Sequence, residues 1–519
     1  MSEQIDRFLS SLESWKENFE VKNFDTTGDD ELCQIIAMQR NKDVDGLLKV
    51  WGQKLDQDYF ELPHPEHKDI KTRAIYSERH GMGNYVFMND ATSAYPWAFG
   101  QCVNFIDIII TKEASYNASL FNNHTFKSSV NKLSEIPRSN LEYKVCDFNL
   151  WVCQTRPYHF FYDQLKFYLY FNAKKDTSFK SAFFSFGNSD KNINNDGVFL
   201  FPTVLGNNHY KDGVAKSLNE KMEKLVYEDA MKNFTSEKTD DGVLTLWYGI
   251  TGQKRSWLQQ VDGIENIVKG LLPNFNGIEL YVDGMTAPEG QVVKNADDEA
   301  VFAKITNRLD GKCNIHSLIG QDYRHKIQVC STVDMFIANA GTGCIVPLRF
   351  CKKPGVLHSN SKLFTFPDEY PGTVKKCDKK YIIDVQMEGV ERADFASYHI
   401  PWQHIFNLTA EALNQTKGTD IKPLEVPPIE EIEKAYEAKE QANKNKLMAF
   451  RGLENRVKPT HKSPDILREV ALSFEHAGDI ETALKIMQKA LELRPTGPFI
   501  KKKVIEYQAV IESTNQKVK

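Results

Sequence analysis

The chain lacks most of the features that announce a function. Nine cysteines lie scattered at Cys33, Cys102, Cys146, Cys153, Cys313, Cys330, Cys344, Cys351 and Cys377, and no two form a CxxC pair. That excludes a zinc ribbon and a disulfide framework and leaves reduced thiols as the reading. The longest apolar runs, such as Phe105 to Ile110, fall far short of the roughly 20 residues that span a bilayer. There is no excess of positive charge. Lys and Arg number 65 against 70 Asp and Glu, a formal net charge of −5, so nothing points to nucleic acid as a partner. The first residues, MSEQIDRFLSSLESWKENFE, follow a charged amphipathic pattern rather than that of a secretory leader. A complete P-loop, a GxSxG elbow and an HExxH helix are all missing. Asp43-Val44-Asp45 has no strand before it and reads as surface charge, and Asp297-Asp298-Glu299 reads as a charge cluster at a helix N-terminus. No metal and no cofactor is expected.

What is present is ordinary soluble material, with 41% hydrophobic and 26% charged residues among 519. The pattern changes along the chain. Residues 1–65 carry apolar residues at helical spacing (Ile5, Phe8, Leu9, Leu12, Trp15). Residues 66–238 open with strand-like runs at Ala74 to Tyr76, Tyr85 to Met88 and Phe105 to Ile110. Residues 239–422 alternate strand and helix: Val243 to Tyr248, Gly277 to Val282, Cys313 to Leu318 and Met335 to Ala338 read as strands. Such alternation implies right-handed crossovers and a parallel sheet, whose ligands sit at the carboxyl ends of the strands. The loops holding Thr251, Gly252, Lys254 and Arg255, then Asp283, then Gly320 and Arg324, then Gly341, Thr342 and Gly343 would converge there. Gly341-Thr342-Gly343 opens a helix after a strand, which suits a phosphate or a nucleotide diphosphate. Lys254 and Arg255 read equally as anion ligands or as a solvated loop.

Residues 423–460 form a linker, Pro423 to Pro428, and a charged helix, Ile429 to Leu453. Residues 461–519 hold Pro464 to Pro495, in which Leu467, Val470, Ala471, Phe474, Gly478, Ala483, Ala490 and Pro495 resemble one tetratricopeptide repeat. One repeat cannot bury its own face, so it either caps the body or docks a protein partner.

Two successive α/β domains, the second carrying Val333-Asp334-Met335-Phe336-Ile337, Thr342-Gly343 and Lys353-Pro354, resemble a GT-B glycosyltransferase. The second domain is most similar to heptosyltransferases and to capsule or lipopolysaccharide transferases. That group places Asp before and His after the Thr-Gly turn, where this chain has Gly341 and Val346. Pro157 to Leu165 resembles a His-aromatic-x-x-Asp-x-Leu segment of some capsular polysaccharide transferases. The resemblance implies two Rossmann-like domains facing a cleft, with N-terminal helices and a C-terminal helical repeat module. It implies metal-independent transfer from a nucleotide sugar, here a substrate, to a glycan, lipid-linked or protein acceptor in bacterial surface polysaccharide assembly. The enzyme would be cytoplasmic, or peripheral at the inner face of the membrane. The base is sought in the first domain: His159 with Asp163 four residues on, or Glu78, His80 and Asp90 around Gly81-Met82-Gly83-Asn84. His159 reads equally as a satisfied core histidine. His358 is placed against the nucleotide or at a strand end. Two other readings stand beside this one: a scaffold on a decayed GT-B body, and an epimerase-like enzyme of the same fold.

Overall fold

The computed structural model describes residues 2–15, 20–119, 130–171, 183–186, 197–206, 213–235, 242–252, 255–362, 372–385, 395–438, 463–476 and 478–516. Met1–Val426 forms one compact unit and Pro427–Lys519 a second.

The first unit contains two large sheets. One has seven strands, β1 (Val21–Asn23), β2 (Glu61–Pro63), β3 (Lys71–His80), β4 (Gly83–Asn89), β5 (Trp97–Gln101), β6 (Ile108–Ile110) and β7 (Ser115–Asn117), in the order β1-β7-β6-β5-β4-β3-β2. Every neighbouring pair is antiparallel except β1 with β7. This corrects the expectation of a Rossmann-like first domain. The cause is connection length. β3 and β4 are joined only by Gly81 and Met82, with Gly81 at φ +58°, whereas a parallel crossover needs a dozen residues or more. The apolar run from Phe105 does not form one strand either. Asp107 interrupts it, accepting hydrogen bonds from the backbone N–H of Cys102, Val103 and Asn104. Three helices accompany this sheet: α1 (Ser2–Ser14), α2 (Glu31–Arg40) and α3 (Val44–Leu55). Asp43 starts α3, its side chain accepting from the Gly46 N–H.

The other sheet has six parallel strands: β10 (Val243–Gly249), β11 (Gly277–Asp283), β12 (Asn314–Ser317), β13 (Met335–Asn339), β14 (Gly355–His358) and β15 (Val374–Lys376). Between the sheets in sequence lie a two-stranded parallel pair, β8 (Phe148–Leu150) with β9 (Val198–Leu200), and the helix α4 (Gly213–Ala230). The six strands run in the order β12-β11-β10-β13-β14-β15. Numbered from β10, that is 3-2-1-4-5-6, the doubly wound order, and it reverses direction between β10 and β13. Its helices are α5 (Gln260–Leu271), α6 (Ala296–Leu309), α7 (Tyr323–Thr332) and α8 (Trp402–Lys417). The strands are buried on both faces, Leu246 and Tyr248 in one apolar cluster and Trp247 in another, as a parallel sheet covered by helices requires.

The two sheets share packing through a helical stretch over 157–171. Phe161 meets Tyr323 of α7 edge-on at 4.9 Å and Phe350 at 5.0 Å.

In the second unit α9 (Pro464–His476), α10 (Ile480–Leu493) and α11 (Pro498–Gln516) pack around Phe474. Ala471, Ala483 and Ala490 are fully buried where the helices approach. Asp465 accepts both Arg494 donors at 2.8 Å, joining the start of α9 to the end of α10. Of the expected helix after the linker, residues 429–438 are helical, and 439–462 lie outside the described residues. Among the described residues no helix is long and apolar enough to cross a membrane.

Candidate functional site

The carboxyl ends of the parallel strands line up. Gly249 pairs with Asp283, and Asn339 with His358. Beyond them lies a cleft of about 480 Å³ at the switch point between β10 and β13. Its walls include Thr251, Gly252 and Arg255 after β10, Asp283 after β11, and Gly341, Thr342 and Gly343 after β13. Thr155, Pro157 and Phe183 close it from the side of the first sheet. The expected convergence of loops is therefore observed for these residues. Lys254 lies outside the described residues.

The glycine turn has a definite geometry. Gly341 sits at φ +127°, ψ −150°, a region that only glycine occupies without strain. A Cβ on Gly343 would stand 2.7 Å from Asn339 Oδ1, and one on Gly252 would stand 2.4 Å from the Asp297 carbonyl carbon. At Gly252 the obstacle is backbone, so that loop is held closer to its neighbour than a side chain allows; at Gly343 it is the end of the Asn339 side chain. The segment after Gly341 is not a regular α-helix: Thr342–Cys344 forms a 3₁₀ turn and Ile345–Phe350 a π-helical one. The first N–H groups of such a segment still have no acceptor within it.

Two buried acidic groups set the loop positions. Asp298 is 6% exposed; its Oδ1 accepts from the Gly252 N–H at 2.7 Å and its Oδ2 from the Met285 N–H at 2.8 Å. This corrects the reading of Asp297-Asp298-Glu299 as a mere charge cluster, for Asp298 ties the loop after β10 to the loop after β11. Asp283 faces Lys326 of α7, with Nζ 2.6 Å from Oδ1. Lys326 Nζ also donates to the carbonyls of Gly284 and Met285 and to the Thr286 hydroxyl. Burial pushes the Asp283 carboxyl up, and Lys326 offsets part of that rise. Sequence patterning gave no sign of Lys326, a charged residue on the inner face of a helix.

Arg255, at φ +56°, is the cation among the described lining residues, its guanidinium 5.7 Å from the Phe395 ring. Arg324 is placed elsewhere. It donates to Asp229 and Glu289 carboxylates and to the Asp229 and Ser185 carbonyls, a brace that leaves it outside the cleft lining. Gly320 is also a structural position: at φ +73°, its Cβ would fall 1.8 Å from the Val293 carbonyl oxygen.

His358 is 2% exposed inside the sheet core, its Nδ1 2.7 Å from the Tyr398 hydroxyl. It does not line the cleft. Burial lowers its pKa to about 3. A ring held neutral in the fold but titrating near 6.5 when unfolded leaves the unfolded chain binding the extra proton below pH 6.5. Stability is then full above that pH and falls as the pH drops toward 3. Between pH 6.5 and 5 the loss from this ring is about 2 kcal/mol. The urea midpoint of the wild type should fall over that interval, and His358→Asn should reduce the slope; an unchanged slope would contradict the assignment.

The proposed bases separate into three places. His159 and Asp163 meet through Nδ1 and Oδ2 at 2.5 Å, with Asp163 fully buried. Pro157, two residues before His159, lines the cleft; His159 itself lines neither the cleft nor the neighbouring groove. Glu78 and His80 line a neighbouring open groove of about 1270 Å³, where Glu78 accepts from the Tyr76 hydroxyl. Thr155 lines both groove and cleft. Asp90 lines neither. It accepts from Thr92, Ala94 and Tyr95 N–H groups and anchors a turn. Burial alone would raise its pKa, and those hydrogen bonds outweigh it and hold the carboxyl below its usual value. Among the described residues no three His, Cys, Asp or Glu side chains converge as a metal-binding group.

No known family model matches the chain, and no curated protein matches its sequence. Among solved structures it is similar to a mutant of TarM from S. aureus, crystallised with fondaparinux, alpha-GlcNAc-glycerol and UDP. That match has 11% identity, covers 68% of this chain and 72% of the other, and has a TM-score of 0.16. A superposition at that score carries no argument about fold or activity.

Proposed function

We propose that the chain is a glycosyltransferase that moves a sugar from a nucleotide-sugar donor to a glycan, lipid-linked or protein acceptor. The supporting observation is the cleft at the switch point, where Gly252 and Gly341 to Gly343 bring backbone against the ligand space beside Arg255. A diphosphate there would meet N–H groups at the start of the 342–350 segment, the Thr342 hydroxyl and the Arg255 guanidinium, while the Thr251 hydroxyl, which donates to Ser256 Oγ at 3.0 Å, shapes the loop. Lys254 is proposed to add a second cation, and Asp283 to hold the loop to Thr286 through Lys326. Gly320 supports that loop, while Arg324 and His358 act on the framework.

In the transfer the acceptor oxygen attacks the anomeric carbon, and the bond from that carbon to the diphosphate oxygen breaks. The electron pair leaves with the diphosphate, where Arg255 and the backbone donors stabilise it. The acceptor proton passes to a base. His159 suits this role, since Asp163 takes Nδ1 and leaves Nε2 to accept. Glu78 and His80 serve as the alternative from the groove. A surface polysaccharide context, capsule or lipopolysaccharide, and a partner-docking or capping role for the repeat-like module rest on resemblance alone.

Thermal unfolding against UDP, GDP, ADP and CMP and their sugar conjugates tests the reading. A ligand at a hundred times its dissociation constant adds about 2.7 kcal/mol to the folded state. One nucleotide should raise Tm, and Thr342→Val with Arg255→Ala should abolish the rise. Binding without acceptor-dependent nucleotide release would favour the epimerase reading. No shift with any nucleotide, in a folded sample, would favour the scaffold.

A further inference from the structure

We propose that the groove beside the cleft binds an acidic glycan, a chain of saccharide rings carrying phosphodiester or carboxylate groups. Trp151 and Phe199 lie under the rings, and Arg79, Lys144 and Arg156 hold the anions. As an acceptor site this assignment rests on the glycosyl-transfer reading; as a binding site it does not.

The platform comes from the β8–β9 pair. The Trp151 N–H donates to the Leu200 carbonyl at 2.8 Å, which places the Trp151 and Phe199 rings 5.4 Å apart and tilted by 55°. Both are half-buried and both line the groove. Aromatic faces carry partial negative charge, and the C–H edges of a pyranose ring carry the complementary positive one. At about 1270 Å³ the groove has room for more than one sugar ring.

The charges around that platform are mostly positive. Several arginines elsewhere meet carboxylates: Arg73 with Glu61 at 3.3 Å, Arg308 with Asp262 at 3.2 Å, Arg324 with Asp229 at 3.0 Å. Among the described residues none of Arg79, Lys144 and Arg156 has a carboxylate partner. Arg79 instead stands 6.0 Å from the Trp151 ring centre, a cation held above the platform. Glu78 is the acid of the groove lining, and the Tyr76 hydroxyl donates to it. Three cations without a carboxylate partner among the described residues, around one groove in a chain of net charge −5, make a local positive field. Guanidinium groups grip phosphate and carboxylate oxygens in pairs. Thr155, shared by groove and cleft, puts the end of such a chain next to the proposed donor site.

The test is calorimetric titration of the full chain with hexasaccharides bearing uronate groups, hexasaccharides bearing phosphodiesters, and a neutral glucose hexamer. At low salt one acidic hexamer should bind at least ten-fold more tightly than the neutral one and weaken as salt is added; which acidic arm binds names the anion. Trp151→Ala should lose ten-fold or more. The exposed pair Lys144→Ala with Arg156→Ala should lose as much, in case Trp151→Ala does not fold. The nucleotide-induced Tm shift is read on the same samples. Acidic binding that the variants abolish, with no nucleotide shift in any sample, keeps this assignment and removes the donor reading. A nucleotide shift with acidic and neutral hexamers bound equally, or with neither bound, overturns this assignment and leaves the donor reading standing.

Discussion

Asp298→Ala should cost about 3–5 kcal/mol and abolish any nucleotide-induced stabilisation, while the adjacent Asp297→Ala should cost less than about 1 kcal/mol. The contrast comes from their partners. Asp297 is exposed in the first turn of α6 and contributes only to the helix dipole. Asp298 is buried, and each of its oxygens accepts one backbone N–H, from Gly252 at 2.7 Å and from Met285 at 2.8 Å. Hydrogen bonds to a charged acceptor contribute about 1.5–3 kcal/mol each, and alanine removes two while leaving both donors short of a partner. Both loops line the cleft, so the binding surface loosens together with the fold. Asp298→Asn should fall between, because its amide presents one acceptor and, against the second N–H, a donor. Urea unfolding monitored by tryptophan fluorescence gives the stabilities. Equal midpoints for the alanine variants at 297 and 298 would show that Asp298 is no more than a charge in a helix turn.

The same residue shows where reading the sequence stops. The strands of the parallel sheet were legible because their apolar runs are separated by glycine turns and helical spacing, and so was the meeting of Thr251, Asp283 and Gly341. Parallel order forces those loops to one edge. The antiparallel first sheet was open to the same reasoning, since two residues between β3 and β4 allow nothing else, but apolar content alone does not separate a hairpin from a crossover. Partners distant in sequence leave no local trace. Asp298 bonds to Gly252 across 46 positions, and Arg324 reaches Asp229 across 95. Asp298 looks like surface charge and Arg324 like a cation for the cleft until the chain is folded. His159 and Asp163 mark the opposite case: a spacing of four on a helical stretch brought their side chains together as the sequence implied.

Lys326→Met should be as damaging as Asp298→Ala, costing about 3–5 kcal/mol near neutral pH. The ammonium is fully buried and lies 2.6 Å from Asp283, which is itself 5% exposed at its side chain. It also satisfies the Gly284 and Met285 carbonyls and the Thr286 hydroxyl. Methionine fills similar space but leaves a carboxylate in the interior with no counter-charge, which is far costlier than replacing both members of the pair. The pH dependence is set by Asp283. Burial already pushes its carboxyl up, and Lys326 offsets part of that, so removing Lys326 pushes it further. A carboxyl whose folded pKa lies above its unfolded value holds a proton in the fold that the unfolded chain has released. Its contribution is complete below the unfolded pKa and is lost as the pH rises through the folded one. The deficit of Lys326→Met should therefore be small near pH 4 and grow toward pH 8, where the wild type keeps its pair. Asp283→Asn combined with Lys326→Met should be more stable at pH 8 than Lys326→Met alone, because the orphaned charge is gone. A deficit independent of pH, or a double variant no better than the single one, would mean that Lys326 acts through the loop carbonyls and not through Asp283. That would make the three oxygens at Gly284, Met285 and Thr286, rather than the ion pair, the groups that fix this wall of the cleft.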